Sequence, residues 1–143
     1  MKKSALHQVG KPLVLFCIGA VVYALIEILW RGYTHWTMAA LGGALFLMIG
    51  GINNWLSWDM PLWLQAIIGS LMVTGAELIF GIVLNIWLGL GIWDYSQMPF
   101  NFLGQICPQF TFAWMGLSLI AIVLDDYIRY WLWGEERPHY KFI

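Results

Sequence analysis

The sequence predicts an all-α integral membrane protein, a four-transmembrane-helix bundle with an ordered outer loop between helices 3 and 4. Three observations carry that expectation. Apolar residues make up 61% of the chain and charged residues 10%, against about 45–50% and about 25% in soluble domains. A chain of 143 residues cannot hide that much apolar surface in water, because a small fold leaves much of its chain at the surface. The apolar residues also fall in four long stretches, each near or above the roughly 20 residues a helix needs to cross a ~30 Å hydrocarbon core. These stretches place helices over about 12–30, 36–53, 61–87 and 105–125 of a single transmembrane domain spanning 1–143, with an interfacial tail over 126–143.

The first stretch follows Lys2, Lys3 and Lys11, an arrangement that resembles a signal peptide. No small-x-small cleavage site follows it; Glu27, Trp30 and Arg31 do, so it is expected to stay as a helix. The second carries Gly42, Gly43, Gly50 and Gly51, and the third Gly69, Ser70, Gly75 and Ala76. Small residues let helix backbones approach where lipid supplies no hydrophobic drive for association. The third stretch is overlong: Pro61 to Trp93 as one helix at 1.5 Å per residue would reach about 50 Å. Gly89, Gly91 and Asp94 favour an end near Asn85–Trp87, since no polar turn divides the run into two short spans. Trp30, Trp36, Trp55, Trp58, Trp63, Trp87, Trp93, Trp131 and Trp133 flank the spans as an aromatic belt.

Orientation follows from the basic residues. Lys2, Lys3 and Lys11 precede the first helix and Arg129, Arg137 and Lys141 follow the last, leaving only Arg31 in a loop. Positive residues stay inside, so both termini are expected in the cytoplasm of a multi-pass plasma-membrane protein, with loops 31–35 and 88–104 outside. Cys17 and Cys107 then lie near opposite faces, and no disulfide is expected between them. The net charge of −1 gives no nucleic-acid signal.

Within this apolar background, Glu27 and Glu77 stand out. A carboxylate at membrane depth costs several kcal/mol unless paired or hydrated, which makes it a functional-site hypothesis. Arg31 lies one turn beyond Glu27 in the favourable i,i+4 order, and His35 follows. The last outer loop adds Asp94, Tyr95, Ser96, Asn101 and Gln105. All of these belong to the outer half, and the inner halves hold no comparable set. The expected ligand-binding residues are Glu27, Arg31, His35, Glu77, Asp94, Tyr95, Asn101 and Gln105. His7 and His139 lie in the tails, and no HExxH or CxxC spacing is present, so no metal and no cofactor is expected. Ser96, His35 and Asp94 lack the elbow context of a hydrolase. The residues after helix 4, with Tyr127, Tyr130, Trp131 and Trp133 among Asp125, Asp126, Arg129, Glu135 and Glu136, read as an amphipathic extension at the interface.

The loop run Trp93-Asp94-Tyr95-Ser96, then Pro99, Asn101 and Gly104-Gln105-Ile106-Cys107, resembles the WDYS…N..G.IC signature of the type IV ABC-transporter permease family, also called CmpB-like; vertebrate TMEM229 proteins are similar. Glu27 and Glu77 match the family's membrane glutamates, and Arg31-Gly32 matches its RG dipeptide. Where the family often continues GPxCPIYG, this chain has Tyr33-Thr34-His35-Trp36-Thr37. The resemblance implies transport. The expected function is a small permease-like or substrate-binding membrane subunit with an outward-facing polar pocket. The sequence carries no ATPase motif, and four helices are few for alternating access. A homodimer or a partner membrane or ATPase subunit is therefore expected within the lipid bilayer. Two alternatives stay open: a membrane-embedded enzyme acting on a lipid-type substrate, and a structural or assembly membrane protein with no ligand. A non-enzymatic role is favoured.

Overall fold

The computed structural model describes residues 5–56 and 58–142. Lys2 and Lys3, on which part of the orientation rests, lie outside the described residues, as do the side chains of His7 and Trp55. Four helices are long and apolar enough to cross a membrane. Helix α1 is Ala5–Arg31 and α2 is Trp36–Gly50; a single turn, α3, covers Ile52–Trp55. Helix α4, Leu62–Gly81, continues as a π-helical turn over Ile82–Trp87, and α5 is Pro108–Trp133. Among the described residues there is no strand beyond one isolated bridge, Phe102 to Ile106.

The chain runs as two antiparallel hairpins, α1 on α2 and α4 on α5, joined mainly through α2 against α5. Close approach at glycine makes both hairpins possible. A Cβ on Gly42 would stand 2.6 Å from the Tyr23 side chain, and one on Gly69 would stand 2.8 Å from Ser118. Gly75, by contrast, has nothing within 4 Å and lies on an open face. Helix α1 makes little contact with α4 or α5, which leaves a groove between the hairpins.

The overlong third stretch ends at Trp87 by passing from α to π geometry, with the Leu88 amide bonding back five residues to the Val83 carbonyl at 3.0 Å. Such π turns locally redirect side chains and frequently occur at functional sites. Here the turn carries Asn85, whose side chain donates to Gln105 Oε1 at 2.8 Å and accepts from the Ile92 amide at 2.7 Å. Gln105 to Cys107 belong to the loop, and α5 begins at Pro108, where the missing N–H removes an otherwise orphaned donor.

Helix α5 runs past the expected end near 125 to Trp133 and stops at Gly134, which takes φ 63°. That overturns the expectation that the end of the bundle opposite the 88–107 loop lacks polar groups within its helices. Asp125 and Asp126 sit inside the helix and are 0% and 4% exposed. The sequence places them at the start of the tail because the apolar run stops at Leu124. Their burial comes from tertiary contact. Asp125 packs against Gly50 of α2, and Asp126 accepts hydrogen bonds from Asn53 and Tyr140. The tail returns across this end of the bundle. Lys141 pairs with Asp59, its carbonyl accepts from the Leu62 amide, and His139 stacks on Trp58 with centroids 4.6 Å apart.

Candidate functional site

The two intramembrane glutamates have different company. Glu27, 9% exposed, accepts from Arg31 Nη2 at 2.6 Å and from the Tyr23 hydroxyl at 3.0 Å. Tyr23, Glu27 and Arg31 are spaced four apart, so α-helical periodicity places all three on one face. Arg31 also donates through Nη1 to the Ile92 carbonyl at 3.0 Å, tying the end of α1 to the outer loop. Glu77, 5% exposed, accepts from the Tyr95 hydroxyl at 2.8 Å and from the Trp114 indole N–H at 3.1 Å. Both donors are neutral, and Glu77 has no ion pair among the described residues. A buried carboxylate is costly unless paired and hydrogen-bonded; here the hydrogen bonds are present and the counter-charge is not.

Rings surround Glu77. Tyr95 stacks on Phe110 at 4.7 Å, Phe110 leans on Trp114 at 6.3 Å, and Trp114 leans on Tyr23 at 6.4 Å. The Tyr95 hydroxyl is held protonated well above the ordinary tyrosine range, by burial first and then by the Glu77 charge. It therefore serves Glu77 as a lasting donor.

Glu77 borders the groove between the hairpins. The groove encloses about 850 Å³ counting its open side. Ile18 and Tyr23 of α1, Phe46 of α2, Val73 of α4 and Leu117 of α5 are among its walls. Ile26 and Ile120 line it too and are 37% and 60% exposed, so the groove opens on the side of the bundle, toward lipid.

The remaining residues expected in the site make contacts away from Glu77. His35 caps the N-terminus of α2, its Nδ1 facing the Thr37 amide at 3.3 Å and the Thr37 hydroxyl at 2.7 Å. Asp94 is exposed and accepts from the Ser96 amide at 2.8 Å in a turn; that bond holds its carboxyl below the usual carboxylate range. Asn101 donates to the Ser96 and Met98 carbonyls and accepts from the Gly104 amide. Gln105 holds Asn85, and its carbonyl accepts from the Trp93 indole at 3.0 Å. The structure thus joins Glu77 to Tyr95 and Glu27 to Arg31, and puts Asp94, Asn101 and Gln105 into building the loop that brings Tyr95 down to Glu77. Sequence reasoning missed Tyr23 and Trp114. The four-residue spacing of Tyr23 from Glu27 was a usable signal; nothing in the sequence marked Trp114. Cys17 and Cys107 are both free.

A four-helix membrane bundle with a buried carboxylate beside a lipid-facing groove defines an integral, multi-pass membrane protein. Residues 14–133 match the family described as "Putative ABC-transporter type IV", and the chain belongs to that family. No curated protein and no solved structure matches it.

Proposed function

We propose that this chain is a permease-like or substrate-binding membrane subunit whose groove takes an amphipathic, cationic molecule, with Glu77 as the charge partner. One observation carries the reading: a buried carboxylate with neutral donors only, at the edge of an apolar groove that opens toward lipid. A cation bound there would supply the missing counter-charge, and the rings of Tyr23 and Trp114 add attraction of the cation–π type. Glu27 and Arg31, being mutually neutralised, hold the wall of the groove. Asp94, Asn101 and Gln105 hold the loop above it, and His35 fixes the start of α2. Family membership supports a role in transport. The energy source would then be a partner ATPase subunit, or the groove would be completed by a second copy of the chain. The placement of basic residues supports a plasma-membrane location with both termini cytoplasmic.

Tetraphenylphosphonium, a lipophilic cation with no hydrogen-bond donor, tests the reading. Purified protein in detergent is expected to bind it saturably, and Glu77→Gln to remove the binding while the helical circular dichroism stays unchanged. Equal binding by the wild type and a folded Glu77→Gln variant overturns the assignment.

A further inference from the structure

The opposite end of the bundle holds a second buried carboxylate in the same predicament. Asp126 is 4% exposed and accepts from Asn53 Nδ2 at 2.8 Å and from the Tyr140 hydroxyl at 2.9 Å. Both donors are neutral. Two cations stand among the nearby carboxylates: Arg129 pairs with Asp125 and lies 3.9 Å from Glu135, Lys11 pairs with Glu135, and Glu136 has only His139 among the described residues. Among the described residues, carboxylates outnumber cations at this end, and Asp126 itself has no ion pair.

The neighbouring oxygens sharpen the point. A carboxylate only accepts, so Asn53 must turn its NH2 toward Asp126, which leaves its Oδ1 to find a donor elsewhere. Asn53 is 5% exposed, and this Oδ1 has no donor. Asp125 Oδ2, on a side chain that is 0% exposed, has none either. A buried acceptor without a donor needs an explanation, and a bound ion is one of those available. Next to Asp126 is a cavity of about 520 Å³, counting its open side, bordered by Asn54, Trp58, Arg129, Glu135 and Glu136. It gives access from the water at the end where the termini lie.

We infer that Asp126 and Asn53 form a binding site for a monovalent alkali cation entering from the end of the bundle that carries the termini. The donor chemistry favours this class. Carboxylate and amide oxygens suit hard cations, and one carboxylate without an ion pair matches one monovalent ion. No trio of His, Cys, Asp and Glu among the described residues is placed to hold a metal ion, so a transition-metal site does not fit. The inference is independent of the groove, sharing no residue with it.

The test uses the full chain in detergent, with sodium chloride titrated against choline chloride at constant ionic strength. The readouts are radioactive sodium binding and the thermal midpoint followed by tryptophan fluorescence. Saturable binding and a sodium-dependent rise in midpoint are expected in the wild type. In Asp126→Asn the affinity should fall about tenfold or more, the size of loss usual when a metal site is disturbed. Asn53→Ala, which removes the orphan oxygen and leaves the carboxylate, should lower affinity in the same direction. A wild type that responds identically to sodium and choline overturns the inference without any variant, and so does undiminished sodium binding by folded Asp126→Asn.

Discussion

At Glu27 the carboxylate is buried and its charge is met by Arg31, itself half-buried. The two halves of this pair should respond unequally to substitution. Removing Arg31 strands a buried charge, which costs about 3–5 kcal/mol where such pairs are broken. Glu27→Gln leaves the cation with the Ile92 carbonyl and a half-open surface, and should cost less. Chemical unfolding of Arg31→Ala and Glu27→Gln checks the order; equal losses would mean that Arg31 is as poorly satisfied without its partner as Glu27 is. Trp114→Phe keeps the ring and deletes the N–H that reaches Glu77. Its expected cost is about 0.5–2 kcal/mol, the range for hydrogen bonds between membrane helices, together with weaker binding of tetraphenylphosphonium. No change in either quantity would remove Trp114 from the site. At Asp94 the folded carboxyl lies below its unfolded value, which for aspartate is ~3.9. The turn's contribution is therefore complete above that pH and is lost as pH falls through the depressed folded value. Carbon-13 titration of the Asp94 carboxyl should give a midpoint below that of a free aspartate; a midpoint at or above it would contradict the Ser96 hydrogen bond.

Elements are fixed where they touch. Helices α4 and α5 meet at Gly69, where a Cβ would stand 2.8 Å from Ser118 and 3.1 Å from Ile49. Gly69→Val should destabilise by about 1–3 kcal/mol, the usual cost of overpacking, because Ile49 and Ser118 are buried in the same seam. Gly75→Ala, on the open face of the same helix, should be neutral or slightly stabilising, since alanine is the better helix former. The contrast of the two thermal midpoints in detergent is the measurement, and similar midpoints would rule out the close α4–α5 approach. The π turn at Ile82–Trp87 belongs to this scale as well, because it aims Asn85 at both Gln105 and Ile92 and so sets how the loop lies over Glu77.

For the whole molecule, the arrangement is two hairpins with a groove between them and a buried, uncompensated carboxylate toward each end: Glu77 under the loop, Asp126 near the termini. Because α2 is held against α5 while α1 scarcely touches α4 or α5, α1 is the wall of the groove expected to move against α5. A spin label on Cys17, which is exposed on α1, paired with one at Leu119 of α5, itself 38% exposed, should report a change in separation when tetraphenylphosphonium fills the groove. An unchanged distance distribution under saturating ligand would mean that α1 stays fixed relative to α5 on binding.

The sequence by itself determined the solvent and the number of spanning helices, and it singled out Glu27, Arg31 and Glu77 as candidates. Each of these follows from composition or from i,i+4 spacing, which are local properties. It also marked the loop 93–108 as ordered, since polar side chains in a short loop find backbone partners, as Asp94 and Asn101 do. Only the tertiary structure decided which rings meet Glu77, that Asp125 and Asp126 are buried inside a longer α5, and that the groove opens between hairpins. Those outcomes depend on contacts across 37 residues for Trp114 with Glu77 and 73 for Asn53 with Asp126. No periodicity along the chain records such contacts, because they arise only when separate helices pack against one another.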